Sequence, residues 1–199
     1  TAISRQATEA AQPSAAVPHD WYMLKPPPVV VQQPLTCWAA ALSSWLAAMG
    51  VQKAPVLEIV YRYAGTSCID PDNSLPIATA DEVFAEWSAT FRRYETPKKL
   101  TSATVRYKLQ TEGHLILAET KFALGHTLVI YGMGFDEKRQ PNPDYVSVMD
   151  PLSGSYKNVP ISSFAYPVLI GHLTKRKRPA PCLRTSGKDT EDEEQEGEQ

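Results

Sequence analysis

With 199 residues, 43% of them hydrophobic and 21% charged, the chain is sized for one well-buried core and is short for two full domains. It contains no apolar run of about 18 residues, so no membrane span is expected, and its three cysteines are too few for a disulfide-rich scaffold. The net charge of −2 hides an acidic end: residues 185–199 carry one lysine and seven acids, which leaves residues 1–184 with a net +4.

Residues 1–20 are rich in Ala, Gln and Ser, have no apolar period, and read as a flexible arm. They lack a basic segment followed by an apolar core, so they do not read as a signal peptide. Pro26, Pro27 and Pro28 make residues 21–30 extended and polyproline-like. After Thr36 the composition changes to CWAAALSSWLAAMG, which is rich in Ala and Leu and free of Pro. Trp38, Leu42, Trp45 and Met49 fall on one helical face, with Thr36 as the expected N-cap and Gly50 as the C′ residue.

Further helices are expected at Val56–Ala64, Ala80–Phe91 and Ala103–Gln110, the last capped by Thr101 or Ser102 and stopped by Gly113. From there the pattern becomes one of strands: Leu115–Glu119, His126–Gly132, Tyr145–Asp150, Ser155–Val159 and Val168–Leu173. Helices followed by antiparallel strands give an α+β class, with one domain over residues 21–174. Residues 175–199 read as a disordered tail, basic at Lys175–Arg178 and then acidic. The basic run reads as a solvated flank, so no nucleic acid is expected. Ligand pairs at zinc spacing and glycine-rich phosphate loops are both missing, so neither a metal nor a cofactor is expected.

The chemistry concentrates on Cys37. A thiol is a poor nucleophile until ionised, and its free pKa is about 8.5. Cys37 stands at the first turn of the expected helix, where the helix dipole and unpaired N–H groups favour a negative charge. A buried structural cysteine is the competing reading. Of four histidines, His19 lies in the arm, His172 near the end of the last strand, and His114 and His126 at strand starts.

A register argument favours His126. Its strand and Tyr145–Asp150 are joined by FDEKRQPNPD, a hairpin loop by composition. Centring that loop on Lys138 sets His126 opposite Asp150 and Leu128 opposite Val148. Opposed residues share a face with Cβ atoms about 4.5–5.5 Å apart. Asp150 could then accept the Nδ1–H of His126 and leave Nε2 for the thiolate, which is the nucleophile, base and orienting-acid logic of a triad. With Cys37 assigned to chemistry, Cys68 and Cys182 are the pair left for a disulfide, and spacing does not say whether they meet.

The segments VVVQQPLTCWAAALSSWLAAMG, EGHLILAETKFALGHTLVIYGMGF and VSVMDPLSGSYKNVPISSF, in that order, resemble papain-like peptidases of the bacteriocin-processing-peptidase-like group. That group is similar to the cysteine protease effectors which plant-pathogenic bacteria inject into host cells. The resemblance spans about Val29–Phe164 and is weak from Val51 to Leu100. It implies a papain-like fold, with a nucleophile helix in an N-terminal helical part packed on a C-terminal antiparallel sheet.

The resemblance places the nucleophile on Cys37, the base on His126 and the orienting acid on Asp150. The family sets an oxyanion-hole Gln about six residues before the Cys, where this chain has Val31. Gln32 and Gln33, five and four residues before it, are the candidates for that role. The implied activity is that of a cysteine endopeptidase working through an acyl-enzyme on protein or peptide substrates. The implied protein is a monomer, secreted or translocated into another cell, with the cytoplasm as the alternative location. A catalytically inactive papain-like binding module, and a deamidase or acyltransferase using the same triad, stand as the alternatives.

Overall fold

Alanine and leucine dominate residues 37–48, and these form the helix α1 (Cys37–Ala48) at the centre of the molecule. The computed structural model describes residues 21–94, 100–119, 126–164, 168–174 and 180–183. The arm at 1–20, the basic run at Lys175–Arg178 and the acidic residues 185–199 therefore lie outside the described residues. The sequence pattern suggested one apolar face for α1. In the structure Trp38, Ala39, Ala40, Ala41, Leu42, Trp45 and Leu46 are all buried, so the helix is enclosed on most of its circumference. Its polar groups find partners inside: Trp38 Nε1 donates to the Asn73 carbonyl at 2.9 Å and Trp45 Nε1 to that of His114 at 2.7 Å. At the C-terminus Gly50 takes φ 66°, and the N–H groups of Gly50 and Val51 bond the carbonyls of Ala47 and Leu46. This is the Schellman arrangement that a glycine at C′ permits.

Two helices follow, α2 (Val56–Tyr63) and α3 (Ile77–Glu86). The helix expected at Ala80–Phe91 is corrected at both ends. It starts earlier, after Pro76, and stops at Glu86; Ser88 turns the chain with φ 63°, and Ala89–Tyr94 forms the strand β1. The residues ATFRRY have strand character, but their partner lies some eighty residues on, and that distant pairing decides the outcome. Helix α4 (Ser102–Glu112) is capped by Thr101, whose hydroxyl accepts the Thr104 N–H at 3.2 Å, and it ends at Gly113.

The remaining strands are β2 (Leu115–Glu119), β3 (Thr127–Phe135), β4 (Pro141–Asp150), β5 (Ser155–Pro160) and β6 (Val168–Leu173). Together with β1 they build an antiparallel sheet in the order β1-β6-β2-β3-β4-β5. Alternation along the strands feeds two cores. Ile116, Val129 and Met149 face α1, α2 and α3, while Leu115, Leu117, Leu128, Ile130 and Val148 pack with Val105 and Leu109 of α4 on the other side. The α+β class and the packing of a helical part on an antiparallel sheet are as expected, with α4 on the opposite face from the other helices.

The β3–β4 hairpin corrects the assumed pairing. Its turn is centred on Lys138, with Phe135 opposite Pro141 and Gly134 opposite Asn142. Asp136 Oδ1 closes it by accepting the N–H groups of Lys138 and Gln140 at 2.9 Å each. Two irregularities then move the register, so that Ile130 faces Val148 and Val129 faces Met149. Val148 therefore pairs with Ile130 and not Leu128, and Asp150 falls two residues short of the position directly across from His126. The net slip is two residues. An even slip leaves every side chain on its original face, whereas an odd one would have sent His126 and Asp150 to opposite sides.

The two ends of the described chain are tied to this frame. Where β2 stops alongside β3, the N-terminal stretch takes its place: Leu24 N–H bonds the Tyr131 carbonyl and Met133 N–H the Tyr22 carbonyl, each at 2.8 Å. At the other end Cys182 is disulfide-bonded to Cys68, its N–H donates to Glu82, and Ala180 is buried. The described residues of this C-terminal segment thus pack on the frame as far as Leu183. That bond also settles the pairing which spacing left open.

Candidate active site

The site begins in the turn before α1. Thr36 N–H closes a four-residue turn on the Gln33 carbonyl at 3.1 Å, with Pro34 second and Leu35 third at φ 61°. A positive φ at the third position is where such turns normally place glycine, so Leu35 holds a strained conformation immediately before α1. Thr36 does not cap α1 as expected. Its hydroxyl turns back to the same residue, accepting the Gln33 N–H and donating to the Gln33 carbonyl, both at 2.9 Å. The Thr36 side chain makes no capping bond to the first turn of α1, which begins at Cys37.

Cys37 is the half-buried first residue of that helix, and it stands outside the disulfide that joins the other two cysteines. Its Sγ lies 4.0 Å from the Thr127 hydroxyl, at the start of β3. Burial pushes the thiol up, but hydrogen bonds from His126 and Thr127, with the His126 charge, outweigh it and hold the thiol below its ordinary value. Burial likewise pulls His126 down, and the contacts with Cys37 and Asp150 reverse this, leaving the imidazole above its ordinary value. The two shifts point the same way: each group favours the charged form in the presence of the other.

His126 Nε2–H donates to Asp150 Oδ1 at 2.5 Å. This corrects the nitrogen assignment, since Nε2 and not Nδ1 meets the carboxylate, which leaves Nδ1 for the thiol. The contact runs diagonally across the β3–β4 pair, a reach that a long side chain makes easily. Asp150 is buried and fully engaged. Oδ1 also accepts the Leu152 N–H at 2.9 Å, and Oδ2 accepts from Lys157 Nζ at 2.5 Å. Burial raises its carboxyl, while the bonds from Lys157, His126 and Leu152 bring it down to about 2. Asp150 is therefore ionised throughout the neutral range.

The two glutamines have different surroundings. Gln33 is exposed, and its backbone N–H and carbonyl are both taken by Thr36. Gln32 is half-buried, its N–H bonds the Pro151 carbonyl at 3.0 Å, and its side-chain oxygen is buried with no hydrogen-bond partner among the described residues. Val31, beside it, leans on the Asp-Pro turn: a Cβ added at Gly154 would stand 2.7 Å from Val31 Cγ2, and Gly154 itself holds φ 59°. The turn that follows Asp150 and the segment that precedes Cys37 are thus packed as one unit.

The other histidines have separate roles. His114 is buried and donates from Nε2 to the Lys25 carbonyl at 2.8 Å. His172 stands beside Glu112, and His19 lies outside the described residues. Sequence reasoning missed Thr127, the Leu152 N–H and Lys157. The first adjoins His126 in sequence, but the last two depend on the geometry of the turn after Asp150 and on the β4–β5 register.

Residues 22–167 match the family described as papain-like cysteine protease AvrRpt2. No curated protein sequence matches the chain. Among solved structures, the chain is similar to a double glycine motif protease from an AMS/PCAT transporter, crystallised with its leader peptide. That likeness has 20% identity, 77% of this chain and 99% of that one covered, and a TM-score of 0.46. A second is the peptidase domain of Streptococcus ComA, a bifunctional ABC transporter in quorum sensing, at 14% identity, 73% and 97% coverage and a TM-score of 0.50. A third comes from work on the mite allergens Blo t 1 and Der p 1, at 10% identity, 86% and 74% coverage and a TM-score of 0.50.

Proposed function

The chain belongs to the papain-like cysteine protease family of AvrRpt2, and from that premise we propose that it is an endopeptidase in which Cys37, His126 and Asp150 form the triad. The observation that carries this reading is the chain of contacts from Cys37 at the uncapped start of α1, through His126, to the ionised Asp150 at 2.5 Å.

In this mechanism the Cys37 thiolate attacks the carbonyl carbon of a peptide bond, forming a C–S bond and moving the carbonyl electron pair onto oxygen. That oxyanion is received by the Cys37 N–H and the side-chain amide of Gln32, which the surroundings favour over Gln33. His126 then gives its Nδ1 proton to the departing amine nitrogen, and the C–N bond breaks to leave a thioester. Water attacks the thioester and loses its proton to His126; the C–S bond breaks, which releases the carboxylic acid and restores the ion pair. Asp150 holds the ring by Nε2 and stabilises the imidazolium throughout.

Incubating the protein with a peptide library, and with the Cys37→Ala variant as control, tests the proposal. Cleavage at internal peptide bonds by the wild type, absent in the variant, is the expected result. A wild type that alkylates at Cys37 yet cuts no peptide would contradict it.

A further inference from the structure

The second oxygen of Asp150 has a partner that the triad does not require. Strands β3, β4 and β5 lie side by side, and Asp150 pairs with Ser155, so Lys157 stands two residues along on the same face. His126 approaches Asp150 diagonally from one neighbouring strand and Lys157 diagonally from the other. The result is a row His126–Asp150–Lys157 across three strands, with Oδ1 given to the histidine and Oδ2 to the ammonium at 2.5 Å.

We propose that Lys157 is a positioning residue for the triad, holding the Asp150 carboxylate in place and setting the pH window in which the Cys37–His126 ion pair exists. The inference rests on the triad reading above and deepens it. Two physical effects are involved. A carboxylate tied at one oxygen can swing about its terminal torsion and lose the histidine; tied at both, with Leu152 N–H as a third contact, it cannot. The Lys157 charge also opposes that of Asp150. An unshared Asp150 would hold the proton on His126 to higher pH, and its unscreened negative charge would make the nearby thiolate harder to form.

Among the described residues, the charged or titratable groups coupled to Asp150 and His126 are Cys37 from α1, these two residues themselves and Lys157 from β5. The turn supplies the neutral Leu152 N–H, and the segment before α1 the neutral Gln32. Lys157 is therefore the cation that balances the row. Its side chain is 45% exposed, against 6% for Asp150, so solvent screens part of the effect.

The test measures the rate of Cys37 alkylation by iodoacetamide against pH, together with the imidazole titration of His126 by NMR. It uses the full chain as wild type, Lys157→Met, Lys157→Gln and Lys157→Arg, with circular dichroism to establish that each is folded. Neither readout needs a substrate. Loss of the lysine charge is expected to move both limits of the ion-pair window upward by about 0.5–1.5 pH units. Lys157→Arg should return to the wild-type curve. Met and Gln curves that overlay the wild type, or an Arg curve displaced as far as theirs, would overturn the proposal. A wild type with no low-pH thiolate would instead overturn the triad reading itself, so the two failures are distinguishable.

Discussion

Helices α1 and α4 both follow a threonine, and the two threonines behave in opposite ways. Thr101 does what helix propensity asks of it, its hydroxyl accepting the Thr104 N–H and closing the end of α4. Thr36 turns back onto Gln33 and leaves the end of α1 open, beside a half-buried thiol and after a strained Leu35. The same local signal serves stability at one helix, while at the other it shapes the turn and, in the proposed mechanism, leaves the first turn of α1 to receive an anion. A cap on α1 would compete with the developing oxyanion for those donors. The C-terminus of α1, by contrast, is fully closed at Gly50, so the open end is a local feature of the site and not a general weakness of the helix.

The largest effect that sharpens this comparison is expected at Asp150, the orienting acid of the proposed triad. Asp150→Ala should lower kcat by about 10²–10⁴, since His126 loses the group that fixes its tautomer. Asp150→Asn should be milder, because an amide oxygen still accepts the Nε2–H. A purely structural role in the Asp-Pro turn predicts instead a lower thermal midpoint for both variants with kcat per titrated site unchanged. The carboxyl also leaves a mark on acid stability. Its folded value of about 2 lies below the ordinary 3.8, so its stabilisation is present above the latter and lost as pH falls through the former. Acid unfolding of Asp150→Asn should lack that slope.

Next in size is the side-chain donor. Gln32→Ala should reduce kcat by about 10²–10³ with little change in KM, while Gln33→Ala stays near wild type. The reverse result would assign the hole to Gln33, and two mild variants would leave the open helix end as its main donor.

The smallest effect tests the threonines themselves. Thr101→Ala should cost about 1 kcal/mol of stability and leave kcat per folded molecule unaltered. Thr36→Ala should lower kcat as well, because the Gln33–Thr36 turn positions both Gln32 and Cys37. If both variants changed stability alone, the functional contrast between the two helix ends would collapse.

What could be read from the sequence, and what could not, follows the range of the interactions. Helix α1 with its glycine stop, and strands β2 and β6 to the residue, are written in local composition and alternation. The strand β1 was hidden, because Glu-Trp-Ser continues a helical pattern and only the pairing with β6 reveals its end. The hairpin centre at Lys138 was legible from turn residues, yet the register beyond it was not. No local signal marks the irregularities after Tyr131 and Asn142, and His126 meets Asp150 because they sum to an even slip. The same limit applies to Lys157, whose place beside Asp150 depends on the register of a second strand pair. Cys68 and Cys182, 114 residues apart, are joined by the docking of the C-terminal segment on α3 and the loop after α2, which composition does not encode.

The central claim is that Cys37 is held as a thiolate by His126 at the open end of α1. The most direct measurement is the pH dependence of iodoacetamide alkylation at Cys37, compared between the wild type and His126→Ala. The account predicts rapid wild-type labelling well below the free-thiol pKa of about 8.5. In the variant, burial opposed only by the Thr127 contacts should carry the midpoint to that value or above it. Coincident curves for the two proteins would contradict the claim.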